Sequence, residues 1–119
     1  MTTLKLGMIT FDTTDAVALA GWWARQVGGE VQDGNGGWFV TVALPDGGPV
    51  LGFQKVADPT PGKNRIHLDL NVPDRAATAA ALLTDGATLI AEQEMPGFGW
   101  TVLADPDGNQ FCLAQKESA

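Results

Sequence analysis

Hydrophobic and polar positions alternate most strictly between Arg65 and Asp74 (RIHLDLNVPD). Ile66, Leu68, Leu70 and Val72 fall on one side, and Arg65, His67, Asp69 and Asn71 on the other. A period of two predicts a strand with one dry face and one polar face. The same pattern predicts a strand over Leu4–Asp12, with Gly7, Ile9 and Phe11 on one face and Leu6, Met8, Thr10 and Asp12 on the other. Thr13, Thr14 and Asp15 then offer side-chain oxygens that can cap a helix. That helix runs to about Val27, and Ala16, Leu19, Ala20, Trp23 and Val27 form its inward stripe. Gly28-Gly29 ends it, because glycine takes the left-handed C-cap conformation at little cost. A short strand over Glu30–Gln32 and a glycine-rich turn, Asp33–Gly37, follow.

Trp38–Leu44 is rich in β-branched and aromatic residues and reads as a strand. Pro45–Gly48 is a hairpin turn, and the chain returns from Pro49 or Val50 to Val56. Ala57–Asn64 carries two prolines and a glycine and reads as a linker into the Arg65 strand. Asp74 caps a second helix over Arg75–Thr84, with Ala76, Ala80 and Leu83 inward and Gly86 as its stop. Thr88–Ala91 is a short strand, Met95–Gly99 a loop, and Trp100–Ala104 a strand. Asp105–Gly108 is a turn, Asn109–Ala114 the last strand, and Gln115–Ala119 a tail.

The order strand, helix, strand, strand, strand therefore occurs twice. Met8–Asp15 lies over His67–Asp74 without a gap, and Pro45-Asp46-Gly47 lies over Pro106-Asp107-Gly108. Trp38 and Trp100 match with one residue of slippage. A repeat of this length implies modules that complete each other's core. The expected fold is α+β: two βαβββ modules, about 4–56 and 65–115, within one domain spanning 1–119.

Composition narrows the function. The 119 residues suit one domain with a real core. A net charge of −7 argues against binding nucleic-acid phosphates, which needs clustered Lys and Arg, and leaves room for a cationic ligand. The absence of a long apolar run or a basic N-terminal signal predicts a soluble, unexported protein with no membrane partner. Cys112 is the only cysteine, so no internal disulfide forms, in keeping with a cytoplasmic location. Of the four tryptophans, Trp22 and Trp23 lie in the first helix and are assigned to packing.

The paired modules, Trp22-Trp23 and the closing WTVLADPDGNQFCLAQ resemble the vicinal oxygen chelate superfamily of glyoxalases, bleomycin resistance proteins and extradiol dioxygenases. The likeness spans about Leu4–Gln115, and D-P-D-G-N-x-F is its most specific part. It implies a curved mixed sheet with helices on its convex face, a ligand crevice on its concave face, and a homodimer. Metal-dependent members place His, Glu or Gln on the first and last strands of each module, where a divalent ion chelates two substrate oxygens. The corresponding positions here are His67, Met8, Cys112 and Leu51. None is a carboxylate, so a magnesium, manganese or nickel site is not expected and no metal ligands or cofactor are assigned. Asp69 and Asp12 share faces with His67 and Met8, at positions the family pattern leaves unassigned. A zinc or copper site on His67 and Cys112 would need a third ligand.

The crevice implied by this mapping draws on Leu6, Met8, Thr10 and Asp12 from one strand and on His67, Asp69 and Asn71 from its counterpart. Leu51, Phe53, Gln110 and Cys112 come from the closing strands, while Trp38, Phe98 and Trp100 could stack on a flat ligand. Two functions compete. One is a metal-independent binding protein that sequesters a cationic or aromatic organic compound, as bleomycin-resistance-type proteins do. The other is a lactoylglutathione-lyase-like lyase or isomerase, with catalytic His67 acting with a divalent metal, whose ligand set is incomplete, or as general acid or base assisted by Asp69 or Asp12. The second lacks an obvious group to stabilise developing negative charge, with Arg65 and Lys55 suggested only by strand position. The first is preferred.

Overall fold

The computed structural model describes residues 6–62 and 66–115. The head of the first expected strand (Leu4, Lys5), Arg65, and the tail beyond Gln115 lie outside the described residues. The chain divides into two compact units at the Pro61–Gly62 bond. Each is a βαβββ module, and the fold is α+β.

The first unit comprises β1 (Met8–Thr13), α1 (Ala16–Val27), β2 (Glu30–Gln32), β3 (Phe39–Ala43) and β4 (Val50–Lys55). The second comprises β5 (Leu68–Val72), α2 (Arg75–Thr84), β6 (Thr88–Met95), β7 (Phe98–Ala104) and β8 (Gln110–Gln115). The sheets have matching orders, β1-β4-β3-β2 and β5-β8-β7-β6. In each, the first strand runs parallel to the last and the other pairs are antiparallel. The repeat read from the sequence is thus a repeat of topology.

Both helices begin as their caps dictate. Asp15 accepts a hydrogen bond from the Ala18 N–H at 3.0 Å, and Asp74 accepts one from the Ala77 N–H at 3.0 Å. Gly28 closes α1 in the left-handed conformation at φ 67°. In the first unit α1 lies on the sheet with Ala16, Leu19, Ala20, Trp22 and Trp23 buried. Phe11 stacks on Phe53 with ring centroids 4.9 Å apart and meets Trp23 at 5.6 Å. Phe53 and Trp23 are buried almost completely, and each such side chain contributes about 1.5–3 kcal/mol of burial free energy. In the second unit Leu103, Phe111 and Leu113 form the dry face.

Three expectations are corrected. The helix α2 turns Ala79 and Leu82 inward, while Ala76, Ala80 and Leu83 are exposed. An alanine-rich helix has two nearly equivalent apolar stripes, and the one that is used, Ala79 and Leu82, also carries Arg75. Its guanidinium lies against Gly99 of β7, where an added Cβ would be 3.0 Å from Nη1. A long charged side chain can thus run inward along an apolar surface. Next, β6 extends to Met95, and Pro96-Gly97 makes a two-residue hairpin turn with Gly97 at φ 78°, where a loop was expected. The polar run Glu92-Gln93-Glu94 conceals an edge strand whose side chains are mostly exposed. Finally, Leu51 and Phe53 face α1, on the side opposite Met8 and Thr10. Thr10 pairs with Gly52, not with Leu51. Aligning the two Pro-Asp-Gly turns misplaces β4 by one residue, and one residue reverses every side chain on a strand.

Candidate functional site in the second unit

The crevice is built on the face of the second sheet opposite α2. The register sets its floor: Asp69 pairs with Cys112, Asn71 with Ala114, Cys112 with Val102, and Ala114 with Trp100. Gln93 pairs with Trp100 and Met95 with Phe98. Strand alternation then sends these side chains to one side while Phe111, Leu113, Thr101 and Leu103 go to the other. The result is an open crevice of about 640 Å³ lined by His67, Asp69, Asn71, Gln93, Met95, Phe98, Trp100, Val102, Gln110, Cys112 and Ala114. Phe98 and Trp100 form one wall, with centroids 5.7 Å apart and planes inclined by 32°. Amide and carboxylate groups from β5, β6 and β8 supply the polar part.

The entry to β8 is fixed by the turn that carries the most specific sequence. Asp105 is buried, and its Oδ1 accepts from the Asp107 N–H (2.9 Å), the Asn109 N–H (2.9 Å) and Asn109 Nδ2 (3.1 Å). Its Oδ2 accepts from Asn109 Nδ2 at 2.9 Å. The D-P-D-G-N segment is therefore a hydrogen-bonded lock that delivers Gln110 and Cys112 to the crevice, rather than a part of the crevice itself.

At one end three side chains of different chemistry converge. His67, immediately before β5, places Nδ1 3.5 Å from Asp69 Oδ1 and 3.8 Å from Cys112 Sγ. The donor atoms of the three lie within 4.8 Å of one another. Cys112 is buried, whereas His67 and Asp69 are exposed toward the crevice. No Lys or Arg lines the crevice among the described residues.

The expected site residues separate by unit. His67, Asp69, Asn71, Phe98, Trp100, Gln110 and Cys112 all line this crevice. In the first unit, Met8, Thr10 and Asp12 share an exposed face of β1, and Met8 Sδ lies 2.8 Å from where a Cβ on Gly52 would be. Trp38 is exposed before β3, with Lys55 Nζ 5.0 Å from its ring centroid. Leu51 and Phe53 belong to the core beneath α1. Sequence reasoning missed Gln93, Met95, Val102 and Ala114. The alternation of Gln93 and Met95 with Glu92 and Glu94 was the available signal, and Val102 and Ala114 needed only the face of Trp100 and Cys112 carried along their strands.

A profile of the glyoxalase-like domain matches residues 8–114. The chain belongs to this family. Its fold is that of the glyoxalase, bleomycin resistance protein and dioxygenase superfamily. A glyoxalase-related enzyme from Fulvimarina pelagi is similar at TM-score 0.74 and 20% identity, over 96% of this chain and 89% of that one. An antibiotic binding protein from a Streptomyces species is similar at TM-score 0.70 and 22% identity, over 97% and 98%. A lactoylglutathione lyase from Agrobacterium tumefaciens is similar at TM-score 0.69 and 15% identity, over 95% and 94%. No curated protein sequence matches the chain. Among the described residues no helix is long and apolar enough to cross a membrane.

Members of the superfamily often bind a divalent metal, and the residues present do not fit a hard one. Such ions take oxygen ligands, six of them for magnesium. The convergent cluster offers one carboxylate beside a thiol and an imidazole. In the first unit the positions equivalent to His67 and Cys112 are Met8, a thioether, and Gly52, which has no ligand atom.

Proposed function

We propose that this glyoxalase-like protein binds a flat organic compound, aromatic or cationic, in the crevice of the second unit and holds it without converting it. The crevice itself carries the reading. About 640 Å³ falls within the roughly 300–1,000 Å³ usual for small-molecule sites. One wall is the Phe98–Trp100 pair, suited to stacking on a planar ring. Gln93 beside it, Asp69 and Asn71 from β5 and Gln110 from β8 can orient polar groups, and Asp69 adds an anion for a cationic substituent. The net charge of −7 favours the approach of such a ligand. The similarity to an antibiotic binding protein agrees with a sequestering role.

Calorimetric titration with a panel of planar cationic aromatic compounds, followed by recovery of the ligand, tests this reading. Binding in the micromolar range is expected, weakened roughly tenfold by Trp100→Ala, because stacking on an aromatic ring is worth about 1 kcal/mol or more beyond area burial. The bound compound should be recovered unchanged. Binding no tighter than about 1 mM (about −4 kcal/mol) across the panel would overturn the proposal. So would conversion of the ligand that His67→Ala abolishes, since that would assign acid–base chemistry to the His67–Asp69 pair.

A further inference from the structure

We propose that Arg75 is a positioning residue for the aromatic wall of the crevice: from the α2 side of the second sheet it braces the end of the β6–β7 hairpin that carries Phe98. The inference rests on the ligand-binding reading for its effect on affinity, and the brace itself is testable without a ligand.

The need for a brace follows from the register. β7 pairs with β8 from Trp100↔Ala114 to Ala104↔Gln110, so Trp100 lies between two neighbouring strands. Phe98 and Gly99 lie beyond that ladder and, among the described residues, pair with β6 alone, through Met95 and Glu94. One half of the wall therefore stands on a three-stranded platform and the other on a two-stranded ribbon that ends at Pro96-Gly97. A two-stranded ribbon is only marginally stable by itself. Met95 and Phe98 at its end are 56% and 46% exposed, so burial does little to hold them.

Arg75 reaches this ribbon from behind. Its root is fixed, because Asp74 caps α2 and the Arg75 N–H donates to Gln115 Oε1 at the end of β8, at 3.0 Å. Its head lies against Gly99, where an added Cβ would be 3.0 Å from Nη1, 3.1 Å from Nη2 and 3.4 Å from Cζ. A broad, planar guanidinium can come this close to a strand only where the residue has no side chain. Strand alternation puts Gly99 on the α2 side and its neighbours Phe98 and Trp100 on the crevice side. The contact thus bears on the backbone between the two wall residues. Nη1 is buried and has no hydrogen-bond partner among the described residues. A buried donor without an acceptor is costly, and such a group calls for an explanation. Packing against the ribbon supplies one.

Hydrogen exchange on the ligand-free full chain tests the brace. Arg75→Ala is expected to speed exchange of the amides between Glu94 and Gly99 by roughly tenfold and to leave Val102–Ala104 unchanged, because a local opening exposes only the segment it involves. Gly99→Ala keeps Arg75 but unseats its head, so it should have the same effect, and the double variant should exchange no faster than either single one. Affinity for proflavine and ethidium, two planar cationic dyes, tests the consequence. Arg75→Ala should weaken binding by roughly three- to tenfold, the worth of an aromatic contact. In a Phe98→Ala background the same change should cost less than about twofold, because the residue it acts through is gone. A merely structural role would cost the same in both backgrounds. Circular dichroism checks each variant's fold, and Gly99→Ala keeps the test decisive if Arg75→Ala, in the first turn of α2, misfolds. Unchanged exchange in the hairpin, or equal affinity losses with and without Phe98, overturns the proposal. Failure of the unaltered chain to bind either dye more tightly than about 1 mM counts against the proposed function, and the exchange result then decides the brace alone.

Discussion

Replacing Asp105 with alanine tests whether the D-P-D-G-N turn holds the last strand in place. The side chain is 2% exposed and accepts four hydrogen bonds, from the Asp107 and Asn109 backbone N–H groups and twice from Asn109 Nδ2. Alanine leaves two backbone donors and one amide without this partner. At about 1 kcal/mol for each of three partly buried donors, the loss is about 3 kcal/mol. For a chain of this size 1 kcal/mol moves Tm by about 4–6 °C, so a fall of about 12–18 °C is expected in thermal denaturation followed by circular dichroism. Asp105→Asn separates the hydrogen bonds from mere volume. Its carbonyl can still accept from the two backbone groups, but its amino group faces the Asn109 amide, donor against donor. It should therefore lose roughly a third to a half as much. A Tm fall below about 4 °C for the alanine variant, or equal falls for the two variants, would refute the lock.

Gly29→Ala should destabilise the first unit by about 1–3 kcal/mol, because its Cβ would lie 2.6 Å from the Ala43 carbonyl oxygen and 2.7 Å from Val42 Cγ1. Urea denaturation checks this against Gly28→Ala, where only the positive φ is at stake and about 1 kcal/mol is expected. In a Cys112→Ser background, Thr10→Cys should react with a thiol reagent at least roughly tenfold faster than Leu51→Cys, because Thr10 is exposed on the face away from α1 and Leu51 is buried on the other. Comparable rates would restore the turn-based alignment of the repeats, which puts Leu51 on the face of Met8 and Thr10.

Local chemistry made much of the fold legible. Asp15, Asp74 and Gly28 mark helix ends because capping is decided by the residues at the terminus. The crevice residues on β5 were legible for a similar reason, since a strict alternation with Leu68, Leu70 and Val72 on the dry side leaves no second assignment of faces. The inward stripe of α2 was not, because alanine at nearly every position gives the helix no strongly preferred face until the sheet is present. The wall formed by β6 was hidden too. An edge strand facing solvent can carry Glu92 and Glu94 without penalty, so its sequence looks like a loop. Nor can a sequence pattern show that Asp69 stands opposite Cys112, because register between distant strands is a tertiary property.

The one-residue error at β4 bears directly on where chemistry can occur. With Leu51 as the counterpart of Cys112, the first unit would have lost a ligand to an ordinary hydrophobic replacement. The register makes the counterpart Gly52, and that is a different kind of loss. A glycine opposite Thr10 leaves a gap, and Met8 lays its thioether across it: a Cβ there would come within 2.8 Å of the sulfur and 3.1 Å of Thr10 Oγ1. Met8 itself stands where the second unit has His67. One repeat has thus covered its equivalent positions with a flexible side chain over bare backbone, while the other keeps imidazole, carboxylate and thiol within 4.8 Å of one another. Two modules of the same topology can diverge in this way because strand order and register constrain the dry faces beneath the helices far more than the faces opposite them. The polar face of a repeated sheet is where such a protein can change its chemistry while its core stays the same.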